Sequence, residues 1–192
     1  MNIQQTIAES IEIKQNLLSD THYIEAIRNA VDLMVDAYKN DKKVLFCGNG
    51  GSAADAQHIA AELSGRFFLD RRPLYAEALH VNTSFVTSVA NDYSYLDVFS
   101  RMVEASGRDG DILVAISTSG NSENVVRAML KAREQGMKII AFTGMGGGKM
   151  KELTDILISI PSKNTPRIQE CHIMTGHIIC EMVEKELFGE EN

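Results

Sequence analysis

The residues of this chain best suited to chemistry are a histidine–carboxylate pair, a late histidine and a dense group of hydroxyls. His58 and Glu62 stand four apart in Gln57-His58-Ile59-Ala60-Ala61-Glu62, so on a helix they project from one face. An imidazole and a carboxylate at that spacing can share a metal ion or work together on protons. They can equally form a surface pair that contributes little. Near the C-terminus, Arg167-Ile168-Gln169-Glu170-Cys171-His172-Ile173 leads on to His177. His172 and His177 are five apart and lie on different helical faces, and His172 reads as the structural member of the two. Cys180, one turn beyond His177, reads as a small buried residue rather than a soft ligand.

Two loops could hold an anion. Ser117-Thr118-Ser119-Gly120-Asn121-Ser122 follows an apolar run and feeds a helix expected from about Glu123. The N–H groups and dipole of a helix N-terminus favour negative charge, and the hydroxyls add donors. Such residues also cap helices routinely, but three serines and a threonine within six positions point to phosphate. Gly48-Asn49-Gly50-Gly51-Ser52-Ala53 loosely matches a dinucleotide fingerprint. A nucleotide site would also need an acidic residue at the end of the next strand, where Leu79-His80 stand, with Glu77 inside the strand. Two polar loops fit one small phosphorylated ligand better. A third glycine cluster, Thr143–Lys149, departs from the P-loop pattern at both ends and reads as a turn.

These loops need a scaffold, and the hydrophobic pattern provides one. The runs KVLFCGNGGS, LYAEALH, DILVAISTSGNS, MKIIAFTG and DILISIP each have the length of a buried strand, with helical stretches between them. The alternation predicts an α/β fold, a doubly wound five-stranded parallel sheet flanked by helices. Ligands of such sheets bind beyond the carboxyl ends of the strands, here the loops after Cys47, His80, Ile116 and Phe142. Two helices come first, with apolar faces at Ile3, Ile7, Ile11 and Leu18 and at Ile24, Ile27, Val31, Met34, Val35 and Tyr38. One sheet face can hardly absorb both, so packing against another subunit is expected, with packing inside the chain as the competitor. A last helix spans about Arg167 to Phe188. Residues 1–192 read as one domain, a helical pair over 1–40 followed by an α/β core over 41–192.

The composition narrows the partners. A formal net charge of −7 argues against nucleic acid, which selects a basic surface. Three cysteines with no CxxC pair suit free thiols in a reducing compartment. No run approaches a membrane span or a leader peptide. A soluble, cytoplasmic protein is expected.

The segments CGNGGSAADAQHIAAELSGR, VANDYSYLDVFSR, ISTSGNSENV and RIQECHIMTGHI resemble those of the phosphoheptose isomerases, within the sugar isomerase (SIS) fold, and the likeness covers nearly the whole chain. It implies an enzyme that converts sedoheptulose 7-phosphate to D-glycero-D-manno-heptose 7-phosphate. That product feeds nucleotide-activated heptose and the lipopolysaccharide core. It also implies a zinc-binding homotetramer with active sites at subunit interfaces. By motif, Asn49, Gly50, Gly51 and Ser52 would meet the substrate, Asn91 and Asp92 its hydroxyls, and Ser117, Thr118, Ser119 and Ser122 the phosphate. His58, Glu62, Gln169 and His177 match the zinc ligands, Gln169 also a substrate contact, and Glu62 with His177 the catalytic pair. Arg66 and Arg167 are further expected contacts.

Those residue types suit an enediol route, in which a base takes a carbon-bound proton while an acid protonates the carbonyl oxygen. Geometry adds a constraint. Gln169 and His177 are eight residues apart, about 12 Å along a regular helix. Either Gln169 precedes the regular helix, or His177 comes from a neighbouring subunit. The chief alternative is a non-catalytic SIS-fold protein that binds the replication initiator; Glu62 and His177 favour the enzyme. A sugar-phosphate-sensing module of a transcription regulator would carry a DNA-binding domain ahead of the sheet, where this chain has about forty residues.

Overall fold

The computed structural model describes residues 2–189, so the expected span of 1–192 runs past it at both ends. Helix α1 (Ile3–Ser19) opens with a reciprocal cap in which Asn2 and Gln5 each bond the other's backbone N–H. Asp20 ends α1 and starts α2 (Thr21–Lys39), its carboxylate accepting from the His22 and Tyr23 N–H groups. Such side-chain caps satisfy donors that a helix start leaves open. The core then alternates as β1 (Val44–Gly48), α3 (Gly51–Ser64), β2 (Ala76–Ala78), α4 (Thr83–Asp92), α5 (Val98–Ser106), β3 (Ile112–Ser117), α6 (Glu123–Glu134), β4 (Lys138–Thr143), β5 (Ile156–Ser159) and α7 (Thr165–Phe188).

All five expected strands form one parallel sheet in the order β2-β1-β3-β4-β5. The edge strand β2 is shorter than its apolar run, at three residues. Alternate strand residues feed two cores. Val44, Phe46, Ile112, Val114, Ile140 and Phe142 face α2, α3 and α7. Leu45, Cys47, Leu113, Ala115, Ile139 and Ala141 face α5 and α6. Both faces are covered, which is why these strands read as unbroken apolar runs. Among the described residues no helix is long and apolar enough to cross a membrane.

The order reverses between β1 and β3, which lie side by side with Gly48 opposite Ile116. At such a switch point the two outgoing loops part and leave a crevice. GNGGS and STSGNS are those two loops.

The leading helices divide the expectation made for them. Helix α2 is largely absorbed by the chain, burying Tyr23, Ile27, Ala30, Val31, Met34, Val35 and Tyr38, though Ile24 of its expected apolar face stays exposed. Helix α1 buries only Leu17 and leaves Ile3, Ile7, Ile11 and Leu18 exposed.

Candidate active site

The crevice begins with the β1–α3 loop. Gly50 takes φ +56°, a conformation that side chains disfavour. Gly51 lies under Gln169, whose carboxamide a Cβ there would strike. Across the crevice, Ser117 is buried and its hydroxyl lies 2.9 Å from that of Ser122 and 3.3 Å from that of Ser119. Neither Gly50 nor Ser122, the N-cap residues of α3 and α6, closes its helix with a side-chain bond. Two helix starts and a cluster of hydroxyls therefore converge where an oxyanion can be held. The glycine-rich turn after β4 braces this loop. Gly144 N–H donates to Thr118 O, Met150 N–H to Gly120 O and Lys149 N–H to the Asn121 carboxamide. A Cβ on Gly120 would collide with the Gly147 carbonyl.

The second half of the site lies on α3 and α7. His58 Nε2 is 3.1 Å from Glu62 Oε1 and 3.2 Å from His177 Nε2, and all three ligand atoms lie within 4.8 Å of one another. The helices can come this close because α7 presents Gly176, where a Cβ would strike Ile59. Phe67 packs at 5.9 Å from the His177 ring. The loop carrying it is pinned by the buried Glu184 carboxylate, which accepts from three backbone N–H groups (Phe67, Phe68 and Leu69) and from Arg71. Burial pushes the Glu184 pKa up, but these four donors outweigh it and hold it below the carboxylate range.

The trio suits a divalent cation. His58 Nε2 can present a proton or a lone pair, not both, yet it faces a carboxylate and a second imidazole nitrogen. A cation at the centre satisfies all three lone pairs. Ligands about 2 Å from zinc in a tetrahedron stand roughly 3.3 Å apart, close to the spacings here.

The expectation that Gln169 precedes the regular helix is not met. Gln169 lies inside α7, in its second turn, and His177 reaches His58 from its own chain. The expected ligand that stands apart is Gln169, which sits at Gly51 beside the phosphate loops. Arg167 also departs from expectation. It is buried, donates to Thr6 O at 2.7 Å and pairs with Glu170, so it fastens α1 to α7 rather than facing a ligand. Asn91 and Asp92 end α4, exposed and bonded to each other at 2.8 Å. Arg66 is exposed just beyond α3. His172 is wholly buried against Thr143 O, as its structural reading expects, and burial pushes its pKa down to about 4.

Three residues of the site went unread in the sequence. Asp55 lies one turn before His58 on α3, its Oδ2 buried without a partner; burial, opposed by His58, pushes its pKa up to about 6. Asn124 and Tyr95 both bond the Asn49 carboxamide. Asp55 was detectable three residues before His58; nothing local pairs Asn49 with a residue 75 positions away.

Residues 8–144 match the SIS domain, which places the protein in the SIS-domain class. The phosphoheptose isomerase of Clostridium acetobutylicum is 56% identical over 189 residues, covering 98% of this chain and 96% of the relative. That of Sulfurimonas denitrificans is 48% identical over 188 residues, with coverage of 98% and 96%. The solved phosphoheptose isomerase of Neisseria gonorrhoeae superposes with a TM-score of 0.90 at 45% identity, covering 95% of this chain and 97% of that one. The chain belongs to the phosphoheptose isomerase family.

Proposed function

We infer that this protein interconverts sedoheptulose 7-phosphate and D-glycero-D-manno-heptose 7-phosphate, an aldose–ketose isomerisation by proton transfer. The observation that carries the reading is the meeting of Glu62 and His177 through His58, beside a crevice built for an oxyanion. The phosphate is held by Ser117, Thr118, Ser119 and Ser122, and the sugar by Asn49, Gly50, Gly51, Ser52, Asn91, Asp92 and Gln169. That leaves the reacting end of the sugar to the helical pair. One of Glu62 and His177 removes a proton from C1 of the ketose and the other protonates the C2 oxygen, giving the enediol. The proton returned to C2, with loss of the hydroxyl proton at O1, gives the aldose.

His58, Glu62 and His177 would hold zinc; Gln169, the fourth ligand of the family pattern, lies at Gly51 and is left to the substrate. The metal would add Lewis-acid polarisation of substrate oxygens. A homotetramer with sites at its interfaces fits the exposed apolar row on α1 and the groove of about 730 Å³ that α1, α2 and α7 leave open. We place residues 1–192 in a single SIS domain, in the cytoplasm, with its product passing to nucleotide-activated heptose and the lipopolysaccharide core.

The test is turnover of sedoheptulose 7-phosphate in D₂O, followed by proton NMR. The reading expects the aldose phosphate with deuterium entering at C2. Binding of the sugar phosphate by the metal-loaded protein without any turnover would favour the non-catalytic SIS-fold reading.

A further inference from the structure

Ser122 occupies the N-cap of α6, where a serine ordinarily spends its hydroxyl on an N–H of the first turn. It does not do so here. The N–H of Val125 is instead taken by the side chain of Asn124, Oδ1 at 3.0 Å, from within the helix. Asn124 is 4% exposed, and its carboxamide also forms a closed pair with that of Asn49, each donating to the other at 2.9 Å.

The Val125 bond fixes the orientation of everything beyond it. Carboxamide oxygen and nitrogen are distinguished by their partners, and a backbone N–H can only donate, so the Asn124 atom facing it is the oxygen. The other Asn124 atom is then an NH₂, and the Asn49 atom opposite it is an oxygen. Tyr95 donates its hydroxyl to that same Asn49 oxygen at 3.1 Å. Both Asn49 lone pairs are thereby used, and one of its two N–H groups is used on Asn124. What remains for a ligand is a single N–H.

We propose that Asn124 is a positioning residue for both loops of the crevice: it caps α6 in place of Ser122, which frees that hydroxyl for the anion, and it locks Asn49 as a one-proton donor to a sugar oxygen. The proposal rests on the sugar-phosphate reading of the site. It assigns Tyr95 to the same lock, holding the Asn49 acceptor shut against a ligand hydroxyl that would donate.

The experiment uses Asn124→Asp and Asn124→Ala. Aspartate still accepts from Val125 and from Asn49 but cannot donate to the Asn49 oxygen; alanine does neither. Thermal melts establish that each variant folds. In a double-mutant cycle on kcat/KM for sedoheptulose 7-phosphate, Asn124→Asp and Asn49→Ala should each cost about tenfold, and together no more than Asn49→Ala alone. Inorganic phosphate, measured by calorimetry at high ionic strength to screen the charge that aspartate adds, should bind Asn124→Asp nearly as it binds wild type. It should bind Asn124→Ala several-fold more weakly, because Ser122 turns back to cap Val125. Losses that multiply in the cycle, or equal phosphate affinities of the two variants, would overturn the proposal. If wild type binds sedoheptulose 7-phosphate without turning it over, the isomerase reading fails separately, and the same cycle is read on binding.

Discussion

The two halves of the crevice are built from opposite materials. The phosphate half is backbone and small side chains at the ends of β1 and β3, held by main-chain bonds from the turn after β4 and by glycines at Gly120 and Gly144 that admit no side chain. The acid–base half is three long side chains reaching from α3 and α7, with His58 half-exposed, joined where Gly176 meets Ile59. The first half is preorganised before any ligand arrives, which suits a group whose charge does not change during the reaction. The second is partly open to solvent at the atoms that must exchange protons. Binding and chemistry should therefore be separable by mutation.

The largest separation is expected from Glu62→Gln and His177→Gln. Each should lower kcat by about 10²–10⁴-fold while leaving affinity for inorganic phosphate intact, as steady-state kinetics and calorimetry on the same samples would reveal. A comparable loss of phosphate affinity would break the division into halves. Next in size is Gly176→Val. Its side chain must push α7 away from Ile59, and overpacking of this kind costs roughly 1–3 kcal/mol. Turnover should fall at least tenfold, with His177 withdrawn from His58, and phosphate binding should stay near wild type. Ser117→Ala and Ser122→Ala sharpen the contrast from the other side. Each should raise KM about tenfold and leave kcat within a few-fold, since a neutral hydrogen bond to the charged phosphate is worth roughly 1.5 kcal/mol.

How the halves entered the sequence explains which was legible. GNGGS and STSGNS are contiguous, so their glycines, hydroxyls and place after apolar runs could be read directly, and the switch point followed from the strand–helix alternation. His58 and Glu62 were legible as a pair because a helix puts them on one face. Their meeting with His177 was not, because it depends on a tertiary contact at Gly176 that no local pattern marks. That Gln169 rather than His177 stands apart from the trio within the chain was equally hidden, because it too depends on how α7 docks on α3. Arg167 departed for a similar reason: the resemblance implies a ligand contact, while one of its two partners, Thr6, lies on α1 at the far end of the sequence and the other, Glu170, is its neighbour on α7. The unequal fates of α1 and α2 were also hidden, since both carry an apolar face and only the packing decides which is absorbed.

The smallest effect at neutral pH concerns His172, which ties α7 to the end of β4 and so connects the two halves. Its folded pKa of about 4 lies below the ordinary value near 6.5. The unfolded chain therefore binds the extra proton first. Its contribution to stability is complete above pH ~6.5 and is lost as pH falls toward 4, by roughly 3 kcal/mol in all. Urea denaturation at pH 7 and pH 4.5 should show a steeper loss in wild type than in His172→Leu; equal slopes would place the protonation elsewhere.

The central claim is that Glu62 and His177 of one chain work on one substrate. The direct measurement is complementation, with Glu62→Gln and His177→Gln chains co-expressed, purified together and assayed for turnover of sedoheptulose 7-phosphate. A pair acting within a chain leaves every site in the mixture defective, so activity should stay at the level of the single variants. Recovery of a substantial fraction of wild-type turnover would mean that the pair is assembled across a subunit boundary, and would contradict the account.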